Sequence, residues 1–251
     1  MIAIQKKTEP LKLYQFRQKP EIQKLSSNDA YKKLKGKLRK EVLANLVEEQ
    51  GDLCAYCMCR IPRKDVEAEI SPITIEHFIP RNPVDGREVG QGLDYNNMLA
   101  VCHGNKASKG KRNFIDLTCD AHRKNIEFRK VNPCRPETLT SIFYTTDGKI
   151  DAKDSDVRFD LVNTLNLNCP SSPLVEERKA TLESLIDELN HVSEMEFLDY
   201  CKLLLKEFQE EIGKKTPYVG ILIWYLKTTI EALESEYRKY LNNTEQSHIM
   251  E

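Results

Sequence analysis

At 251 residues the chain is long enough for one large domain or two small ones with a buried core, and 31% charged against 40% apolar residues describe a soluble globular protein. No run approaches the roughly 18 apolar residues a membrane span needs, and Met1 to Pro10 lacks the apolar centre of a secretory signal. A cytoplasmic protein without a membrane partner is therefore expected, its eight cysteines serving as metal ligands and free thiols rather than disulfides, and its net charge of −1 excluding little by itself.

The charge is unevenly spread. Residues 1–40 carry 12 Lys and Arg against 3 Asp and Glu, residues 101–135 carry 9 against 3, and residues 176–251 carry 9 against 16. A basic front and centre with an acidic rear fits a protein that offers one face to a polyanion. A set of solvated Lys-rich helical faces fits the same counts.

In chain order, residues 1–25, with Pro10 and Pro20, read as an extended arm. Ser26-Ser27-Asn28-Asp29 supplies capping oxygens, and Leu34, Leu38, Val42 and Leu46 recur every four residues up to Gly51, which predicts a helix over about 29–49. Residues 1–50 thus form a basic N-terminal arm and helix. Residues 51–133 hold the main cysteine pairs, little helical periodicity before the 120s, and the β-branched run Ile73-Thr74-Ile75, so short strands around a metal are expected there. Gly86, Gly90 and Gly92 mark one loop, and Asn105 to Arg112, with four basic residues, marks another. Residues 134–251 open on short strands, with Asp147-Gly148 between β-formers as a hairpin signal. They continue as helices with apolar stripes at Leu182, Leu185, Ile186, Leu189 and Val192; at Leu198, Cys201, Leu205, Phe208 and Ile212; and at Leu222, Leu226, Ile230, Leu233 and Tyr237. These stripes read as the core of a C-terminal helical bundle.

Cys54-x2-Cys57 sets two thiolates at the spacing at which a tight turn ligates one ion, and Cys102 with Cys119 completes a structural zinc site that joins the start of the module to its end. Cys59 and His103 are alternative ligands. Cys134, Cys169 and Cys201 fall outside the set and read as buried apolar thiols.

Glu76-His77 closes the predicted strand ahead of Pro80. A neutral imidazole is suited to taking a proton from water for attack on a phosphodiester, which makes His77 a candidate general base. Glu76 and Asp120, brought together by zinc closure, are candidate ligands for a catalytic divalent ion such as Mg2+ or Mn2+; His122 and Asn105 are alternatives for the second position. Asn97 could bond the backbone of the His77 segment and hold the ring in place. Arg123, with Lys106, Lys109, Lys111 and Arg112, could grip phosphates of a nucleic acid. For any one of these cations taken singly, a solvated basic loop fits equally well.

Together these motifs resemble the HNH, or ββα-metal, nucleases: Cys-x2-Cys, then Glu76-His77-x2-Pro80, then Asn97-x-Leu99-x2-Cys102, then Cys119-Asp120-x2-Arg123. The resemblance implies an α+β fold with a zinc-stabilised ββα-metal module, His77 as general base, Asn97 orienting it, and Glu76 and Asp120 at metal-ligand positions. Two departures are a Glu where Asp is usual and sixteen residues between Cys102 and Cys119 where two are common. A narrower resemblance, carried by Gln50 to Ile61, Ile75 to Arg81, Phe143 to Ile150, and Leu165-Asn166-Leu167-Asn168 followed by Leu174 and Arg178, is to the PtuB-type HNH subunits of Septu and retron-associated anti-phage systems. It implies an endonuclease that is the effector of a two-component defence system, with a PtuA-type SMC-like ABC ATPase as partner. It also implies a nucleic-acid substrate, DNA before RNA, and in a retron setting an RNA/DNA complex. The basic arm and the acidic helical rear would then be the docking surfaces. Two rival readings stand beside it. One is a non-catalytic zinc module that binds nucleic acid or protein; the other is a zinc deaminase, which Glu76-His77 opposes by running in the reverse order to a His-x-Glu block.

Overall fold

The computed structural model describes residues 1–66, 72–83, 85–87, 89–106 and 113–249, the side chains of 240–249 excepted. Lys109, Lys111 and Arg112 lie outside the described residues. The fold is α+β, with two small antiparallel sheets and a C-terminal helical bundle around one connected apolar core that runs from Met1 to Ile230. Among the described residues no helix is long and apolar enough to cross a membrane.

Of the N-terminal stretch expected to be an extended arm, residues 1–10 carry no regular structure, while most of residues 11–23 are helical. Pro10 precedes α1 (Leu11–Arg17) and Pro20 opens α2 (Pro20–Gln23), each proline sitting where its missing N–H costs nothing. Leu13 and Ile22 anchor the two pieces in the core, a use of isolated apolar residues that carries no periodic signal. The single helix expected over 29–49 is split. Ser26 caps α3 (Ser27–Lys33) by accepting the Asp29 N–H at 3.1 Å, Leu34 and Lys35 are extended, and Gly36, at φ +55°, starts α4 (Gly36–Glu49). Two extended residues end one helix and the left-handed glycine after them re-aims the next, while the four-residue stripe stays unbroken in sequence.

The end of α4 positions the first sheet. Gln50 is buried, and its amide donates to the carbonyls of Ala100 (2.7 Å) and Leu53 (2.8 Å) while accepting the Ala100 N–H (2.8 Å). One side chain thereby completes the edge of that sheet, in which β1 (Thr74–His77) pairs antiparallel with β2 (Met98–Val101), Thr74 opposite Val101 and His77 opposite Met98. β2 is buried at all four positions, as an apolar Met-Leu-Ala-Val strand would be. After β2 comes α5 (Cys119–Arg123).

The second sheet is the hairpin β3 (Ile142–Tyr144) and β4 (Ile150–Ala152). Buried Arg178 on α7 (Leu174–Leu189) donates to the carbonyls of Gly148 (2.6 Å) and Leu167 (2.9 Å), tying that hairpin to the bundle of α7, α8 (Glu194–Glu210) and α9 (Val219–Ile249). α6 (Ser155–Phe159) begins on Asp154, whose carboxylate accepts the N–H groups of Asp156 and Val157. Asp160, fully buried, accepts three successive N–H groups, those of Arg129, Lys130 and Val131, and so pins the chain leaving α5. Two stripe positions depart from expectation: Ile212 lies past the end of α8 and is 97% exposed, and Tyr237 also faces solvent.

Candidate metal centre and active site

The thiol centre is assembled by two tight turns and the start of α5. After Cys54-Ala55-Tyr56-Cys57 the backbone reverses through Met58 at φ +64°, with the Met58 N–H on the Cys54 carbonyl and the Cys54 N–H on the Cys59 carbonyl, both at 3.0 Å. β2 then delivers Cys102, whose N–H points at Cys54 Sγ and whose own sulfur takes the Gly104 N–H, each at 3.4 Å. Gly104, at φ +62°, lets this turn meet the start of α5: a Cβ there would lie 2.3 Å from the Thr118 carbonyl oxygen. The Thr118 N–H returns to the Gly104 carbonyl at 3.0 Å.

The four sulfurs of Cys54, Cys57, Cys102 and Cys119 lie within 4.8 Å of one another. Cys57 to Cys102 and Cys102 to Cys119 are each 3.8 Å. A tetrahedral ion with sulfur bonds of about 2.3 Å requires edges of about 3.8 Å, so the donor set fits a metal of the zinc type. The two N–H groups aimed at sulfur are the outer contacts that such thiolates need. Cys59 and His103 are not in this group; both line an adjoining cavity of about 360 Å³ that Cys102 also borders.

A second constellation surrounds a cleft of about 450 Å³ lined by Glu76, His77, Arg81, Lys106, Asp120 and Lys124, among others. β1 ends at His77, the Phe78 N–H turns back to the Asn97 carbonyl at 2.9 Å, and the departing chain lets both Glu76 and His77 border the cleft. Asn97 holds this turn: its Oδ1 accepts the Ile79 N–H at 2.7 Å and its Nδ2 donates to the Ile79 carbonyl at 3.0 Å. It therefore acts on the backbone after His77 and not on the ring.

Both ring nitrogens of His77 are engaged. Nε2 lies 3.0 Å from the Gly92 carbonyl, which makes it the protonated nitrogen, and Nδ1 accepts the Arg81 Nε–H at 3.2 Å. Burial, and then the Arg81 charge, pull the imidazole down to about 3, so the ring is neutral. Burial first, and the neighbouring Asp120 carboxylate second, push the Glu76 acid well above the usual carboxylate range, with the Arg123 charge opposing them. Asp120 sits in the first turn of α5, directly after the thiol Cys119.

Arg123 departs from its expected role. It is 0% exposed, bonds Glu76, and donates to the carbonyls of His77 (3.1 Å), Phe78 (2.5 Å) and Ile126 (2.8 Å). A guanidinium locked beneath the β1 turn, with Tyr56 also on Nη1, is a structural brace and does not meet a phosphate. Of the alternatives for the second acid position, His122 bonds the Thr164 carbonyl at 3.0 Å and stacks on Phe114, and Asn105 donates to the Asp116 carbonyl at 2.7 Å. Neither borders the cleft, whereas Asp120 does.

Sequence reasoning missed Arg81, Lys124 and the α3 residues Ser27, Asn28 and Tyr31. The Ser27 hydroxyl accepts the Gly92 N–H at 2.6 Å, and the Tyr31 ring stands edge-on to His77 with centroids 4.6 Å apart. Proximity to the Glu76-His77 motif was the available signal for Arg81; for the α3 residues there was none.

No protein-family model matches this chain, and no curated protein matches it.

Proposed function

We propose that the protein is a metal-dependent HNH endonuclease that hydrolyses phosphodiester bonds in nucleic acid. What carries the reading is the hairpin-plus-helix unit, closed by four thiols, in which Glu76, His77 and Asp120 border one cleft. The thiols would hold structural zinc. Glu76 and Asp120 would hold Mg2+ or Mn2+, and the strain of two neighbouring acids, one of them buried, is what a divalent ion relieves. That ion, when bound, offsets the charge that develops on the phosphate oxygens and the leaving oxygen.

The chain's own residues do the rest. His77, with Nε2–H fixed on Gly92, has Nδ1 as the nitrogen that takes a proton from the attacking water. Asn97 fixes the turn that aims the ring, Arg123 holds Glu76 from beneath, and Lys106 and Lys124 draw the polyanion to the cleft. A role as effector of a two-component anti-phage system with a PtuA-type SMC-like ABC ATPase rests on the motif resemblance. The exposed Met195, Leu203 and Ile212 at the C-terminal helices are candidate contacts for such a partner.

A second reading, a non-catalytic zinc module that binds nucleic acid, is favoured by the engagement of both His77 nitrogens. Incubation of plasmid DNA and of structured RNA with purified protein and Mg2+ or Mn2+, with and without the ATPase, separates the two. Cleavage that His77→Ala abolishes supports the nuclease; binding without cleavage in every combination, or cleavage that survives His77→Ala, overturns it.

A further inference from the structure

Arg81 stands in two relationships at once. Its Nε–H occupies the one lone pair of His77 that could accept a proton, and its Nη1 donates to Asn28 Oδ1 at 2.5 Å. Its guanidinium lies over the Tyr31 ring, 4.0 Å from the centroid, and Tyr31 in turn touches the edge of His77. Asn28 and Tyr31 both belong to α3, so the N-terminal segment holds the arginine against the imidazole. Ser27 of the same helix fixes Gly92, which takes the other ring nitrogen.

The partners of Arg81 are all neutral: an imidazole nitrogen, an amide oxygen and an aromatic face. Among the described residues no carboxylate pairs with it. Five N–H donors in a planar fork, aimed into a cleft that also bears Lys106 and Lys124, are under-used by such company. An anionic phosphate accepts two of those donors in charge-assisted bonds about twice as strong as neutral ones, so a phosphate entering the cleft outcompetes the imidazole for the guanidinium.

We propose that Arg81 is a two-position catalytic residue: it caps His77 Nδ1 in the free protein and transfers to a phosphate of the bound nucleic acid, which exposes Nδ1 to water. This inference rests on the nuclease reading. With the cap gone, a water proton passes to the Nδ1 lone pair while Nε2–H stays on Gly92. The water oxygen forms the new bond to phosphorus, and the bond from phosphorus to the leaving oxygen breaks with its electron pair on that oxygen, which takes a proton from solvent. His77 then returns its proton to solvent, and Arg81 returns to Nδ1 once the product phosphate leaves. The arrangement ties exposure of the base to the presence of substrate, and α3 sets how firmly the cap sits.

The experiment uses the full chain with 15N-labelled histidine and a short DNA duplex, without added Mg2+ or Mn2+. In the parent, duplex binding is expected to shift the Nδ1 resonance of His77 toward that of an unbonded nitrogen. In Arg81→Ala the resonance is expected to start there and not move. In cleavage assays with Mg2+, Arg81→Ala should raise KM about tenfold, as loss of one charge-assisted contact would. Arg81→Lys, which keeps the charge and loses the fork, should recover part of KM only, and added guanidinium chloride at non-denaturing concentration should lower the KM of Arg81→Ala. A parent whose Nδ1 resonance stays fixed while duplex binds, or an Arg81→Ala enzyme with parental KM and kcat, overturns the proposal and leaves a His77-dependent nuclease standing. Cleavage that survives His77→Ala is the separate failure of the underlying reading.

Discussion

Four sulfurs of one kind converge at the thiol centre, where buried Arg178 lends its charge to Cys57 and Cys119, whereas the cleft, one residue further along α5, sets its chemical groups against opposite or capping partners. Cys54, Cys57, Cys102 and Cys119 have each other, the neighbouring Cys59 thiol and backbone N–H groups for company. Glu76 has Arg123 beneath it, and His77 has Arg81 on one nitrogen and Gly92 on the other. A closed set of like donors is the arrangement of a structural ion, which completes the fold; an open, half-compensated set is the arrangement of a site that meets something from solution. The difference lies in what each meets from outside: the first is a closed set shaped for a cation that would complete the fold, and the second, standing on β1 and α5 of that same unit, is open to solution.

The largest expected effect comes from the first half of that contrast. Chelating a zinc ion held by the four thiols would remove roughly 10–16 kcal/mol of apparent binding free energy, as much as the whole stability of an ordinary domain. The β1–β2 unit and α5 should lose their cooperative melt, and Cys119→Ser should lose metal in parallel. Metal content measured beside a thermal melt checks this: a chelated protein with an unchanged melting temperature would mean that the thiols are mere core.

Next in size is the brace beneath the cleft. Arg123→Met leaves Glu76 buried without its cation and should cost about 3–5 kcal/mol, read as a shift of the denaturation midpoint. Replacing both partners, Glu76→Gln with Arg123→Met, should return much of that stability while cleavage stays lost. Recovery of fold without recovery of activity would separate the brace's structural share from the acid's chemical one.

A smaller effect tests the joint between the two centres. Gly104→Ala places a Cβ within 2.3 Å of the Thr118 carbonyl at φ +62°, so the Cys102 turn and the start of α5 must part. The expected loss is about 2–3 kcal/mol, with weaker metal retention in competition with a chromophoric chelator and a cleavage rate that falls with it. A variant that held metal less well yet cut at the parental rate would uncouple the two centres.

How much of this was legible in the sequence differs between the same two regions. The thiol set could be read because ligand spacing is a local property: Cys54-x2-Cys57 announces its turn, and Cys119 was reachable as the next cysteine after Cys102. Glu76, His77, Asn97 and Asp120 were likewise visible as residue types beside those ligands. Arg123 was misread because a basic residue in a basic stretch has no local mark of burial; only the turn after β1, with the His77 and Phe78 carbonyls facing inward, and the Ile126 carbonyl after α5 reveal it. The α3 contacts to His77 were invisible for a similar reason. Ser27 meets Gly92 and Tyr31 meets His77 across long sequence separations, and nothing in a periodic Lys-rich helix distinguishes a residue that faces a site from one that faces water. Gly36, by contrast, lay in plain view, and the unbroken stripe of leucines and valine concealed that the helix divides just before it.

The smallest effect concerns α5 itself, where one short helix serves both centres. At about 100° per residue, Cys119, Asp120 and Arg123 fall within one arc, while His122 lies about 160° from Asp120. His122 is a metal-ligand residue type two positions from Asp120, and sequence spacing alone could not choose between them. The structure gives it other work: Nδ1 on the Thr164 carbonyl and a ring stacked on Phe114 with centroids 4.3 Å apart. His122→Ala should therefore cost about 0.5–1.5 kcal/mol in denaturant unfolding, for one hydrogen bond and one stack, and leave KM, kcat and dependence on the divalent ion at parental values. Asp120→Asn should do the reverse, sparing the fold and raising the Mg2+ concentration needed for half-maximal cleavage. If the two variants exchanged these behaviours, the chemical face of α5 would be the one that packs on Thr164, and the cleft bordered by Glu76 and His77 would lose its second acid.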